Sequence, residues 1–491
     1  MNSTPHYDLG TPRWREIWVD PVSGDDSADG TVRDRALRTI QAAWNRVPER
    51  TAPGGEGFRI QLCPGAYAVD ADGHLNLNGR YACAAAPILF QPADGAQSVK
   101  LPPIDMDHCS YVYLQDLTFS SPTLPIQSSY DNVIHFADCD HILLRRVVGV
   151  GEDAPALPRI VLKANQCTHL YIEDCEFSGA TAYVFAYVAV FYGHIVRSRF
   201  RRSNFAGLCV KGGSAYHLIA ANEVDDCRIV GIEAGEGTGF PYLVPPWLHY
   251  EAYEIKMVNN VVRNCGGGCS VGGGYNIVIA FNTCVRVGSN RDAILVTLGA
   301  HVWVKEAAEV CERYHKLGGW CPPDGETFIP NRNIQICNNV VFNPDGFESK
   351  FAHFGISGPM PSKPLSNVPD PIGVTEIRIE GNVIWNGGPD KPVLDDVENE
   401  WGLAAKSILK VEDLRPVNHF NTLRPEFRGA EQGDFRPLPG GKLSAVKPVS
   451  LLPFSSDDPR RPPVPAGDPD NSVPTDKEGK DRSAGTIGAF A

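Results

Sequence analysis

The sequence predicts an all-β fold, a right-handed parallel β-helix with an N-terminal capping helix and loop insertions. Three observations lead there. A short apolar strand, a polar turn and a second short strand recur, as in His169–Phe177, Tyr253–Val262, Tyr275–Asn282, Asn333–Val341 and Glu376–Ile384, and such self-similarity marks a solenoid. The residues opening successive phrases, His141, His169, His194, His217, Glu254, Asn276, Asn333 and Glu376, are separated by 28, 25, 23, 37, 22, 57 and 43 residues. This is a coil of about 22–25 residues carrying insertions. Finally, Asn222, Asn260, Asn282, Asn339 and Asn382 recur at one turn position, where a side-chain amide can bond backbone groups freed by the bend.

Taken in order, residues 17–67 read as a strand at Ile17–Val19, an acidic turn from Gly24 to Gly30, an amphipathic helix around Arg38–Trp44, and a strand at Ile60–Leu62 closed by Pro64-Gly65. Asp25, Asp26 and Asp29 could ligate calcium, but the same turn chemistry closes a cap, which is the expected role. The expected organisation is a cap and first coil over 1–80, the β-helix over 81–395 with insertions near 235–253, 300–330 and 345–373, and a Pro-rich wrap over 396–491. Residues 304–316 in the second insertion read as an amphipathic helix with His315 solvated. The fourteen cysteines are spread along the chain, and those in apolar strands are expected to be buried thiols. Cys311 and Cys321 are the pair expected to bridge in an oxidising compartment.

A net charge of −13 without a Lys/Arg run excludes a nucleic-acid partner, which would need a dense basic face. No run of 18 apolar residues predicts a membrane span, no CxxC pair predicts zinc, and a monomer is expected. Met1–Tyr7 has neither the basic cluster nor the apolar core of a signal peptide.

The opening from Ile17 to Tyr67, and closing phrases such as Gly433–Gly440 and Thr486–Phe490, resemble the N-terminal cap and terminal wrap of bacterial β-helix proteins of the pectate lyase superfamily. The sequence leaves a cytosolic protein open, while the resemblance implies a secreted or periplasmic one whose signal was removed and, as chemistry, calcium-assisted β-elimination of a uronate-containing glycan. Lys211, in Lys211-Gly212-Gly213, is similar to the basic residue that removes the C5 proton in one branch. Asp225, Asp226 and Glu233 are then the expected calcium ligands, and an acidic polysaccharide the expected partner.

The residues themselves support a site around the first two insertions. Lys211 and Glu233 are 22 residues apart, a spacing that predicts neighbouring rungs. Removing a weakly acidic C5 proton requires neutralisation of the developing enolate, by a metal or by Arg286. Lys211, Glu233, His249 and Arg286 are the candidate catalytic residues. Tyr242, Trp247, Tyr250, Glu251, Lys256 and Arg291 are the candidate substrate contacts, the aromatic ones because rigid rings suit the apolar faces of sugars. Two alternatives stand beside a lyase: a glycoside hydrolase using two of Asp225, Asp226, Glu233 and Glu251, and a non-catalytic carbohydrate-binding or adhesion protein.

Overall fold

The computed structural model describes residues 5–70, 73–120, 132–151, 158–302, 308–320, 327–347, 349–362, 366–395, 407–458, 460–466, 471–482 and 485–491. The chain divides into two compact units, an N-terminal unit of Pro5–Ala186 with Gly193–Ser203, and a C-terminal unit dominated by Asn204–Ala491. Each is built from right-handed coils whose strands stack in parallel as three ladders.

In the N-terminal unit the first ladder joins Leu75–Tyr81, the start of Ile104–Gln115, Asn132–Ala137 and Ile160–Asn165. The second joins Trp14–Val19, Gly57–Leu62, Ile88–Pro92, the end of Ile104–Gln115, Asp140–Arg145 and Thr168–Glu173. The third joins Lys100–Leu101, Thr118–Ser120, Val148–Val150, Glu176–Ala180 and Arg199–Ser203. The capping helix, Ile40–Arg46, starts at Thr39, whose hydroxyl accepts from the Ala42 amide, and buries Ile40, Ala43 and Trp44. The three acidic turn residues are engaged locally. Asp25 accepts from Ser27, Asp29 from Thr31, and Asp26 from the Arg38 and Thr39 amides.

In the C-terminal unit the first ladder joins Ala206–Lys211, Val230–Ala234, Cys269–Gly272, Ile294–Thr297 and Phe354–Ile356. The second joins Ser214–Ala220, Ala252–Val258, Gly274–Ala280, Asn331–Cys337 and Val374–Glu380. The third runs from Glu223–Cys227 through Val261–Cys265, Thr283–Val287, Val340–Phe342 and Val383–Trp385 to His419–Phe420. Residues of the Pro-rich wrap lie along the second ladder: Gln335 exchanges hydrogen bonds with the Leu452 backbone, and the Tyr216 hydroxyl donates to the Pro462 carbonyl.

The recurring asparagines form a buried amide ladder. Asn222, Asn260, Asn282, Asn339 and Asn382 each donate a side-chain N–H to the Oδ1 of the next, and the ladder ends on Asn418. Each Oδ1 also takes the backbone N–H of the asparagine before it, at 2.9–3.0 Å. Preceding each of the first five ladder asparagines is a residue at positive φ, namely Ala221, Asn259, Phe281, Asn338 and Gly381. Left-handed backbone there turns the chain sharply, and the ladder bonds offset its cost.

The thirteen described cysteines are free thiols, all but Cys83 buried. Cys321, and the part of the predicted helix before Ala308, lie outside the described residues; the described helix is Ala308–Lys316, with His315 exposed. Among the described residues, no helix is long and apolar enough to cross a membrane.

Candidate active site

The first ladder of the C-terminal unit places Cys209, Glu233, Ser270 and Leu295 in register on one face. Strand alternation keeps Lys211 on that face, two residues beyond Cys209. The offset between these two strands is 24 residues, because Cys209 rather than Lys211 is the partner of Glu233. The expected Lys211–Glu233 pair is therefore replaced by two others. Lys211 Nζ donates to Glu236 Oε2 at 2.6 Å, and Arg291 Nη1 donates to Glu233 Oε1 at 2.9 Å. Glu233 is 2 % exposed, and its Oε2 has no hydrogen-bond partner. Burial raises its pKa; Arg291 opposes that rise and Glu236 adds to it. For Lys211, burial favours the neutral amine, but Glu236, the Cys209 thiol and Glu251 outweigh it and the pKa is raised. Lys211 is thus an ammonium.

Behind this pair lies a second buried carboxyl. Glu251 Oε2 accepts from the Gly212 amide at 3.0 Å and the Thr238 hydroxyl at 2.6 Å. Its Oε1 lies 3.3 Å from His301 Nε2, both side chains being fully buried. His301 Nδ1 lies 3.0 Å from the Trp320 carbonyl, which only accepts, so Nδ1 carries the hydrogen and Nε2 offers a lone pair. Burial pushes His301 down to about 4 and Glu251 up to about 7, the latter against its Thr238 and Gly212 bonds. A protonated Glu251 facing a neutral imidazole satisfies both groups. The short strands Gly237–Gly239 and Gly299–Val302, paired in parallel, carry Thr238 and His301 to this point.

Other expected site residues stand elsewhere. Asp225 lies on the third ladder, bonded by Arg263 and Asn264, and Asp226 follows it in an exposed left-handed turn. Arg286, also on the third ladder, faces Glu431 at 3.7 Å. His249 stacks on Trp320 at 4.3 Å and meets the Gly318 carbonyl and Arg460. Lys256 covers the Phe454 ring. Within the aromatic insertion, Phe240, Tyr250 and Tyr253 are buried anchors and Trp247 packs beside them, leaving Tyr242 exposed. Packing explains these rings: the Tyr253 hydroxyl accepts from the His249 and Tyr250 amides, fixing the loop's end. Of the expected residues, Lys211, Glu233, Glu251 and Arg291 belong to one cluster; Glu236, Thr238 and His301 complete it.

One donor atom each from Cys209, Glu233 and Glu236 lies within 4.8 Å of the others, so these groups converge as metal donors do. They do not fit calcium, which takes six to eight oxygens. One donor is a thiol, and each carboxylate already carries a cation, Arg291 or Lys211.

No protein-family model matches the chain, and no curated protein sequence matches it significantly. Among solved structures it is similar to XylC in complex with xylose, at 9% identity and TM-score 0.53 over 97% of this chain and 98% of that one. It also aligns with a rhamnogalacturonan lyase, at 12% identity and TM-score 0.47 over 90% and 97% of the two chains. A third is a mannuronic acid specific polysaccharide family 6 lyase from human gut microbiota, at 13% identity and TM-score 0.40 over 74% and 80%. The likeness shows the fold, a right-handed parallel β-helix.

Proposed function

We propose that the protein is a carbohydrate-active enzyme whose reacting groups are Glu233 and Glu236, acting on a uronate-containing glycan as a glycoside hydrolase. The observation that carries this reading is two carboxyl groups, with oxygens within 4.8 Å, in opposed environments. Glu233 is buried with an unpartnered oxygen and a raised pKa, a shift in the direction a general acid requires. Glu236 is partly exposed and held by the Lys211 ammonium, the condition of a carboxylate nucleophile. Carboxyl groups about 5 Å apart suit a retaining double displacement. Glu236 would attack the anomeric carbon while Glu233 protonates the departing oxygen; Glu233 would then take a proton from the water that releases the sugar. Arg291 and Lys211 would also offer positive charge to a uronate carboxylate. The fold shared with a xylose-bound protein supports a sugar as ligand without naming it.

A lyase is the second reading, supported by the two cations at the same site. Lys211 would then have to lose its proton beside Glu236, and the carboxylates would orient the substrate. Incubation with pectate, alginate, rhamnogalacturonan, glycosaminoglycans and xylo-oligosaccharides, with calcium or a chelator, separates the two. New reducing ends without ultraviolet absorbance, insensitive to the chelator and lost in Glu233→Gln and Glu236→Gln, are expected. Unsaturated products lost in Lys211→Ala would establish the lyase. Sugar binding without turnover would leave a non-catalytic binding protein.

A further inference from the structure

We propose that Asp140, His141 and His169, in the N-terminal unit, form a binding site for a divalent transition-metal ion of the zinc class. The two histidines occupy equivalent corners of successive coils, both at φ +55°, and the coil repeat stacks their imidazoles with centroids 4.1 Å apart and planes 16° apart. Tyr111, at the corner one coil earlier, extends the stack onto His141 at 4.2 Å. This arrangement points both Nδ1 atoms at one carboxylate: His141 Nδ1 is 2.7 Å from Asp140 Oδ2, and His169 Nδ1 is 3.0 Å from Asp140 Oδ1. Thr168 donates to the same carboxylate at 2.5 Å and fixes its orientation, as outer-sphere bonds do around metal ligands.

The three donors lie within 4.8 Å of one another. Tetrahedral zinc with bonds of about 2.0–2.1 Å separates its ligands by roughly 3.3 Å, so a chelate forms when the two stacked rings tilt out of parallel until their Nδ1 lone pairs converge, with the carboxylate swinging outward. Two imidazoles and one carboxylate select zinc, cobalt, nickel or copper(II) over magnesium or calcium, which prefer oxygen. Side-chain exposures of 20% for His141, 36% for His169 and 42% for Asp140 give an ion access, and three protein ligands leave a coordination position facing solvent. Coordination through Nδ1 leaves each imidazole neutral, with its hydrogen on Nε2.

The test is zinc titration of the full chain without an affinity tag, by calorimetry at pH 7.5. One strong equivalent is expected, with calcium and magnesium silent. His141→Gln and His169→Gln, which keep a hydrogen-bonding side chain, should each weaken zinc by about tenfold or more, and His108→Gln should not. His108 controls for the neighbouring Asp107–His108–Asp138 group; loss of binding in that variant alone overturns the proposal, as does no zinc binding. Diethylpyrocarbonate modification of the wild type, mapped by mass spectrometry, decides independently of any variant's folding. Zinc should protect His141 and His169, and unchanged modification of both would also overturn it.

Discussion

Two buried polar systems of the C-terminal unit contrast sharply in how well they are satisfied. The asparagine ladder uses each Oδ1 from Asn260 to Asn418 twice and returns side-chain N–H groups to backbone carbonyls, as Asn282 does to Met257 and Asn339 to Ile279. In the acidic cluster, Glu233 Oε2 has no hydrogen-bond partner, and Glu251 Oε1 and His301 Nε2, 3.3 Å apart, are satisfied only while Glu251 holds its proton. Buried polar atoms are nearly always bonded, and the exceptions require a reason. A closed network fixes the coil; an open one holds protons and charges ready for something else.

The largest effect that would break this comparison is catalytic. If the open network is the reacting centre, Glu233→Gln should lower turnover by about 10²–10⁴-fold while leaving the unfolding midpoint close to wild type. Measuring both on one preparation makes the result decisive, since lost activity with lost stability would instead assign Glu233 to the fold. Next comes the ladder. Asn282→Ala removes the acceptor for the Asn260 amide and the donor to the Met257 carbonyl, and should cost about 3–5 kcal/mol in urea unfolding.

Glu251 sharpens the comparison through pH. Its pKa rises from an ordinary 4.5 to about 7 on folding, first because of burial, so the folded chain retains a proton that the unfolded chain has released. Its contribution is fully present below about pH 4.5 and is lost as pH rises through 7. The shift corresponds to up to about 3 kcal/mol. Glu251→Gln mimics the protonated form and can donate to His301 Nε2, so this part of the pH dependence should vanish from its stability profile. Parallel profiles for wild type and variant would refute the buried proton.

How far these systems could be read in the sequence follows from their geometry. The ladder recurs once per coil, and six of the eight phrase-opening residues do occupy left-handed corners, including His141, His169 and Asn276. For the other two the corner falls on Tyr192 and Tyr216, two residues before His194 and one before His217, because apolar alternation tolerates small slips near a bend. The same tolerance explains Lys211. A spacing of 22 and the true offset of 24 place Lys211 and Glu233 on one face, since side chains repeat every second residue, but the partners change. The roles of Thr238 and His301 were not legible: they meet Glu251 through two short strands inside insertions, and no periodicity announces that pairing. The buried aromatics were misleading for a related reason, since an anchor and a sugar platform have the same composition.

The smallest predicted effect tests where the reacting centre ends. Arg286 was a candidate for neutralising an enolate, yet it stands on the third ladder, half-buried, 3.7 Å from the exposed Glu431. Ion pairs of that kind contribute about 0–1 kcal/mol, so Arg286→Ala should leave stability and turnover within roughly 0.5 kcal/mol of wild type. The control is Arg291→Ala, which strips Glu233 of its one bonded cation. Burial and Glu236 then act on Glu233 unopposed by Arg291, the carboxyl holds its proton to higher pH, and the alkaline limb of the rate profile should move upward. A loss of activity in Arg286→Ala as large as in Arg291→Ala would mean that the chemistry reaches the third ladder, and the open network on the first would then be only part of it.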